Sequence, residues 1–303
     1  MSPEVQKTNG YPQETESKPL INDASLLWSE TILKTNPHIK AITLAYYSVP
    51  GRQDKVKKVN TQRLIRAKDP AQRLRLFSAK MGLDYNCAIS SIVETDNDAI
   101  DTPLIKPQQH KKLAIHHPMA IPQMDLTIPV SNHNTQLAID ILDNFSTDWF
   151  LLNSGNSYHA ILNTTCTLTQ LPLYWSQAVS FFSQAAHEPF VKKRGQELAG
   201  ALAQNASSKA GLKLACDQLF RETFALINHM YGSFDNFTKL SLLDWGHIGY
   251  SVTNLFGFYE GVSAGTGYLR IGPKKEMGSP QLIAQRVEGK VSLLTNTTTQ
   301  YAF

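Results

Sequence analysis

The chain has 303 residues, 42% of them hydrophobic and 18% charged, with a formal net charge of +4. That is enough for one large domain or two small ones around a sizeable core. No apolar run approaches the roughly 20 residues that cross a bilayer, and the polar start at Met1 carries no apolar leader, so the reading is an intracellular, cytoplasmic protein with no membrane partner. Cys87, Cys166 and Cys216 are odd in number and far apart, with no Cys-x-x-Cys pair. They read as small core residues rather than as a disulfide framework or a zinc module.

In chain order, residues 1–20 are polar, rich in Glu, Ser, Thr and Pro, and read as a disordered tail. From Asp23 a capped helix is expected through Leu26, Leu27, Glu30 and Leu33, followed by a strand over 41–47. Between Arg52 and Arg75 nine basic residues stand against two acidic ones, Asp54 and Asp69. Such a block on a slightly acidic body suits a polyanion, because phosphate neutralisation is where clustered cations contribute most to affinity. A solvated helix face is the other reading. The nucleic-acid candidates are Arg52, Lys55, Lys57, Lys58, Arg63, Arg66 and Arg73.

Asp69-Pro70 has the form of a helix cap and first turn, with Leu74, Phe77 and Met81 on one face and Gly82 as the stop. A strand over 85–93 and an acidic turn over 94–101 come next. The polar stretch 103–118 holds His110, His116 and His117, and adjacent histidines on an extended chain point apart, so the last two do not share a metal. It serves as a boundary between an N-terminal basic α/β region, 21–110, and a second unit, 111–303.

In the second unit a strand is expected over 120–130, confined to an edge or shortened by Pro122 and Pro129. Thr135 is expected to cap a helix with Leu137, Ala138, Ile141, Leu142 and Phe145 on its apolar stripe. Two apolar runs, 148–152 and 158–162, flank the turn Asn153-Ser-Gly-Asn-Ser157 and predict a β-hairpin. Strand alternation puts Ser157 and His159 on one face and Tyr158 on the other. Residues 175–231 read as mainly helical, interrupted at Gly195, Gly200 and Gly211, within a helical insertion of about 175–235. Asp244 then closes an apolar run as if at a strand end, and Arg270 sits in mid-strand with Lys274 and Lys275 behind it. The order strand, helix, strand, turn, strand predicts an α+β fold, a mixed sheet with packed helices.

Taken together, a strand with Asp125, a hairpin with Ser157 and His159, the pair Leu243-Asp244 and the run Tyr268-Leu-Arg-Ile resemble the catalytic core of the archaeo-eukaryotic primase superfamily, including primase-polymerases. Its signatures are Asp-x-Asp, Ser-x-His and hydrophobic-Asp on a sheet related to the RNA-recognition fold. Asn153-Ser-Gly-Asn-Ser-Tyr-His159 is close to the second of them, and the resemblance covers about Met119 to Ile283.

The resemblance implies an RRM-like primase core. Asp125 and Asp244 would hold Mg²⁺ or Mn²⁺, and Ser157 and His159 would contact an incoming nucleoside triphosphate. Arg270 and Lys274 would neutralise phosphate. It also implies a DNA template and, as a candidate partner, a helicase or other replication protein, in a chromosomal, nucleoid or mobile-element setting. The chain departs from the family at Thr127, where a second carboxylate belongs: a hydroxyl can meet Mg²⁺ but brings no charge. A replacement carboxylate could come from Asp96, Asp98, Asp101 or Asp143.

Two other readings stay open. One is a primase-fold nucleic-acid-binding accessory protein with weakened or no catalysis. The other is an unrelated hydrolase or phosphotransferase using His159 or His247, although no Gly-rich phosphate loop, Gly-x-Ser-x-Gly elbow or His-Glu-x-x-His is present.

Overall fold

Asp23 caps the first helix as its sequence suggests: the Ser25 N–H donates to Asp23 Oδ1 at 2.8 Å. In the computed structural model, which describes residues 23–48, 61–66, 85–96, 115, 117–215, 220–263, 265–272 and 278–294, this helix is one continuous rod, α1. It is built from Ala24–Leu26, a π-type stretch Leu27–Ile32, and Leu33–Thr35. Ala24, Leu27, Trp28, Ser29, Ile32 and Leu33 are its buried residues. The expected tail 1–20 and the helix expected from Asp69 to Met81 lie outside the described residues. So do Cys216, Lys274, His110, His116 and the acidic turn beyond Asp96.

The strands form two five-stranded sheets, and every pairing among the described strands is antiparallel. The first sheet has β1 (Ile39–Ser48), β2 (Thr61–Arg66), β3 (Tyr85–Thr95) and β4 (Pro118–Ala120) in the order β2-β1-β3-β4, with β8 (Leu269–Arg270) also paired to β3. The second has β5 (Gln123–Leu126), β6 (Trp149–Asn153), β7 (Tyr158–Leu162), β9 (Gln281–Val287) and β10 (Lys290–Leu293) in the order β10-β9-β6-β7-β5. The fold is thus α+β, with two antiparallel sheets in place of the single mixed sheet expected.

The strand expected over 120–130 is two strands in different sheets. Ile121 donates its N–H to the Ser91 carbonyl at 2.8 Å in the first sheet, while the Pro122 carbonyl accepts from Leu162 at 3.0 Å in the second. Pro122 has no N–H with which to continue a ladder, so the chain changes partners there. β5 then takes the outermost place of its sheet, as the flanking prolines require.

Alternation along β6 and β7 divides the core. Leu151, Tyr158, Ala160 and Leu162 pack on the helices. Phe150, Leu152 and Ile161, with Leu282 of β9, meet α1 and the first sheet. The helices are α2 (Asn132–Leu142), α3 (Leu171–Ala185), α4 (Pro189–Asn205), α5 (Lys209–Leu214), α6 (Arg221–Tyr231), α7 (Phe234–Ser241) and α8 (Trp245–Tyr259).

Two local expectations are corrected. Ser131, not Thr135, caps α2, its Oγ accepting from Asn134 N–H at 3.1 Å; Thr135 sits a turn further on and donates to the Ser131 carbonyl at 2.8 Å. Gly195 and Gly200 lie inside α4 and Gly211 inside α5. Gly195 is there for closeness: a Cβ on it would lie 1.9 Å from Ser183 Oγ and 2.2 Å from Ser183 Cβ on α3. Gly195→Ala should therefore cost about 1–3 kcal/mol in denaturant unfolding, the usual range for overpacking, and Ser183→Gly should recover most of it.

Cys87 and Cys166 are buried and not joined in a disulfide, and burial pushes the Cys166 thiol far above its ordinary range, in keeping with an inert core role. Among the described residues no helix is long and apolar enough to cross a membrane.

Candidate functional site

The site is a consequence of register. In the second sheet His159 of β7 stands opposite Leu152 of β6 on one side and opposite Asp125 of β5 on the other. Beyond β5 the chain returns once more: Leu126 and Leu243 form an antiparallel bridge, Thr127 N–H donates to the Leu242 carbonyl at 3.1 Å, and Asp244 N–H donates to the Asp125 carbonyl at 2.9 Å. Asp125 and Asp244 are therefore cross-strand neighbours. A row of side chains runs Leu152, His159, Asp125, Asp244 across the sheet.

The face is fixed by parity. Leu126, Leu243 and Ile128 are buried among the helices, so Asp125, Thr127 and Asp244 take the opposite face, toward the first sheet. Gln123, two residues before Asp125, confirms the direction by donating from Nε2 to the Ile89 carbonyl of β3 at 3.5 Å. The row begins apolar, with Leu152 in the core shared with α1 and the first sheet, and ends in two carboxylates at the rim. His159 Nε2 lies 3.7 Å from Asp125 Oδ1, an ion pair when the imidazole is protonated.

Asp244 is not at a strand end. It is the N-cap of α8, its Oδ1 accepting from His247 N–H at 2.9 Å. Asp-Trp-Gly-His is the cap-to-third-residue spacing, and it brings His247 beside Asp244. His247 Nε2 meets the Tyr268 carbonyl at 3.1 Å; a carbonyl only accepts, so Nε2 carries the proton. Nδ1 is buried and has no hydrogen-bond partner. Burial pushes the imidazole below the ordinary histidine range, with the Asp244 carboxylate and the Tyr268 carbonyl pulling partly back. Thr127 Oγ1 is a second buried polar atom without a partner.

Beside this row lies the hairpin turn. Gly155, at φ 110°, donates its N–H to Asn153 Oδ1 at 2.8 Å, and Ser154 Oγ lies 3.1 Å from Ser157 Oγ. Tyr158, on the opposite face as alternation requires, is tied to α2: its hydroxyl donates to the Ser131 carbonyl and accepts from the Ser131 N–H, both at 3.0 Å. Arg270 belongs to the first sheet, opposite Ala88 of β3, and reaches across to the turn. Its guanidinium donates to the carbonyls of Gly272 and Gly278, both at 2.7 Å, and to that of Ser154. It therefore braces the Ser-x-His turn from behind, where the sequence suggested direct phosphate neutralisation.

The other candidates fall elsewhere. Arg63 and Arg66 are in β2, an edge strand, in register with Leu44 and Ala41 of β1. Arg52, Lys55, Lys57, Lys58, Arg73 and Lys274 lie outside the described residues, as do Asp98 and Asp101. Asp143 is an ion-pair partner of Arg286 at 2.8 Å, and Asp96 of Lys40 at 2.9 Å.

The residues that could hold a divalent ion are Asp125 and Asp244, neighbours through their backbones, and Thr127, whose buried Oγ1 has no hydrogen-bond partner. Among the described residues no three carboxylate, imidazole or thiol groups are already drawn together as a metal cage. Asp244 is turned to its helix cap and Asp125 toward His159.

A second concavity, of about 460 Å³, opens between α5, α6 and α8. Its described walls include Phe220, Phe224, Phe256, Tyr250, Lys213 and Arg221. Gly249 lets the walls close in, since a Cβ there would meet the Phe220 ring at 3.0 Å. Tyr250 stands 60% exposed at its mouth. Phe220 belongs to the buried core as well, with Phe224 packed against it, so this wall of the groove is continuous with the core.

Compared with known proteins, the chain matches no family model, no curated sequence and no solved structure.

Proposed function

We propose that the chain is a primase-like nucleotidyltransferase that makes or extends a short nucleic-acid strand from nucleoside triphosphates on a DNA template, using Mg²⁺ or Mn²⁺. The observation that carries this reading is the meeting of Asp125 and Asp244, far apart in sequence, as cross-strand neighbours joined at 2.9 Å through their backbones, with His159 opposite Asp125 and the Ser154–Ser157 turn beside it.

Each part has work to do in that chemistry. Asp125 and Asp244 would hold the divalent ion, with Thr127 Oγ1 as an uncharged oxygen donor. The ion would supply charge neutralisation at the transferring phosphoryl group. The hydroxyl of Ser157 would donate to a phosphate oxygen, and His159, when protonated, would add a second, charged donor. Arg270 keeps the turn in place for that contact rather than making it. The helix N-terminus that Asp244 caps points its partial positive charge at the same corner, which favours an anionic ligand there. On this reading the second sheet with α2 is the RRM-like core. The test is incorporation of labelled nucleotide on a single-stranded DNA template with Mg²⁺ or Mn²⁺; no incorporation with either ion removes the catalytic reading.

The groove favours a second reading, a nucleic-acid-binding replication accessory protein of the same fold. An exposed tyrosine, Tyr250, beside the half-buried Phe224 and Phe256 and flanked by Lys213 suits a base of a single strand, each stacked base contributing on the order of 1–3 kcal/mol. Tyr250→Ala combined with Lys213→Gln should weaken binding to a fluorescent oligonucleotide roughly tenfold or more and flatten its salt slope. Unchanged binding removes the groove from the interface. Lys55, Lys57 and Lys58 replaced by glutamine test the basic block by the same measurement.

A further inference from the structure

The three residues that join α7 to α8 do two things at once. Leu242 and Leu243 lie along β5, where the Leu126–Leu243 bridge is flanked by the Thr127–Leu242 and Asp244–Asp125 backbone bonds, and Asp244 already caps the next helix. Since α7 ends at Ser241, the chain has a single residue in which to leave a helix and enter a strand-like path. It does so at Leu242, with φ 58° and ψ −29°. Leu243 N–H donates to the Ser241 carbonyl at 2.6 Å, which closes a three-residue γ-turn of the kind with a positive φ at its centre.

Such a turn is rare and strained, and nothing in a leucine side chain favours it. Glu288, another non-glycine residue with positive φ, has an ordinary reason: with Gly289 it makes the two-residue β9–β10 hairpin turn. At Leu242 the surroundings impose the conformation instead. Ser241 is fully buried and its Oγ donates to the Leu243 carbonyl at 2.8 Å across the turn. Leu243 is buried in the helical core, and the two backbone bonds to β5 hold the far side. Strain held in place by this many contacts points to a neighbour that requires it. That neighbour is Asp244, because with a negative φ at Leu242 the next two residues no longer follow β5.

We propose that Leu242 is a positioning residue: through its backbone conformation, not its side chain, it sets Asp244 beside Asp125. This role rests on the acid-pair reading and accounts for how the second acid reaches the first.

The test separates the turn from the side chain. Leu242→Ile keeps volume and apolarity but not the conformation, because a β-branched residue does not tolerate φ near 58°. Leu242→Gly and Leu242→Asn discard the side chain but take up that φ readily. Amide hydrogen exchange, followed by NMR on the full chain without metal or substrate, reads the contact with β5 directly at the Thr127 and Asp244 N–H groups. Both should exchange roughly tenfold or more faster in Leu242→Ile and within about threefold of the parent in the glycine and asparagine variants. In metal-dependent nucleotide incorporation, kcat should fall roughly tenfold or more in Leu242→Ile alone. KM for nucleotide should change little, since Ser157 and His159 belong to a hairpin whose register is set by β5 and β6.

Exchange that follows side-chain volume, or that is equal in all four proteins, overturns the role of Leu242 and leaves the acid pair standing. So does exchange that follows the turn while kcat stays the same throughout. Should Leu242→Ile not fold, the other two variants decide alone, slow exchange upholding the turn and fast exchange overturning it. A parent that incorporates no nucleotide with either ion removes the nucleotidyltransferase reading, and the two amides then still decide whether Leu242 sets the place of Asp244.

Discussion

Asp125→Asn and Asp244→Asn are each expected to lower metal-dependent incorporation by about 10³-fold or more, because losing one metal carboxylate removes on the order of 4 kcal/mol of charge stabilisation from the transition state. Asparagine rather than alanine is the informative replacement, and the structure says why at both positions. Asp244 caps α8 through Oδ1, and asparagine caps as well as aspartate, whereas alanine would subtract about 1 kcal/mol of helix stability and confuse the two effects. At Asp125 the change is isosteric, and the 2.9 Å bond between the two backbones does not involve the side chains.

The thermal behaviour should carry the opposite sign. Like charges directly opposed across strands are destabilising, by roughly the 0.2–1 kcal/mol of an ordinary cross-strand pair, so without metal each variant should melt at the same temperature as the parent or slightly higher. With Mn²⁺ the order reverses: an ion at 100 times its Kd stabilises the parent by about 2.7 kcal/mol, and the variants lose that gain. If both variants incorporate as well as the parent and melt alike with Mn²⁺, the carboxylates are an ordinary rim pair and the nucleotidyltransferase reading fails.

What the sequence disclosed and what it withheld follow from the range of the interactions involved. The hairpin was legible because its turn and its alternation are local: Asn153 to Ser157 can only turn, and parity then sends Tyr158 to the α2 side and His159 to the other. The helix cap at Asp23 and the edge position of β5 were legible for the same reason. The partition of residues 118–126 between two sheets was not, since a strand's periodicity does not say which partner it pairs with; only Pro122 hinted at the break. Asp244 was misplaced because an apolar run ending in an acid looks the same before a strand end as before a helix, and the cap is made to a backbone N–H that almost any residue at position 247 would supply. Gly195 was taken for a helix break because composition does not reveal that Ser183 on another helix needs its missing Cβ. For Arg270 the charge suggests phosphate, and only the folded chain shows three carbonyls around it.

Those three bonds make Arg270→Met the variant with the largest expected effect on stability. The side chain is 9% exposed and its guanidinium joins the Ser154 carbonyl of one sheet's hairpin to the Gly272 and Gly278 carbonyls that follow the other sheet's β8. Methionine fills much of the volume but leaves three acceptors short of a donor, and losing such a charged, buried network should cost about 3–5 kcal/mol, or roughly 5–15 °C in Tm. Arg270→Lys should fall between, because an ammonium lacks the planar fork that reaches carbonyls on two sides.

The kinetic consequence separates bracing from direct phosphate contact. A guanidinium that only braces the turn acts through Ser157 and His159, so assayed well below its Tm the lysine variant should raise KM for nucleotide with little change in kcat. A guanidinium that met the transferring phosphate would lower kcat and kcat/KM together. Equal melting of Arg270→Met and the parent would mean that these carbonyls find water instead, and Arg270 would then be available for the phosphate role its place in the sequence first suggested.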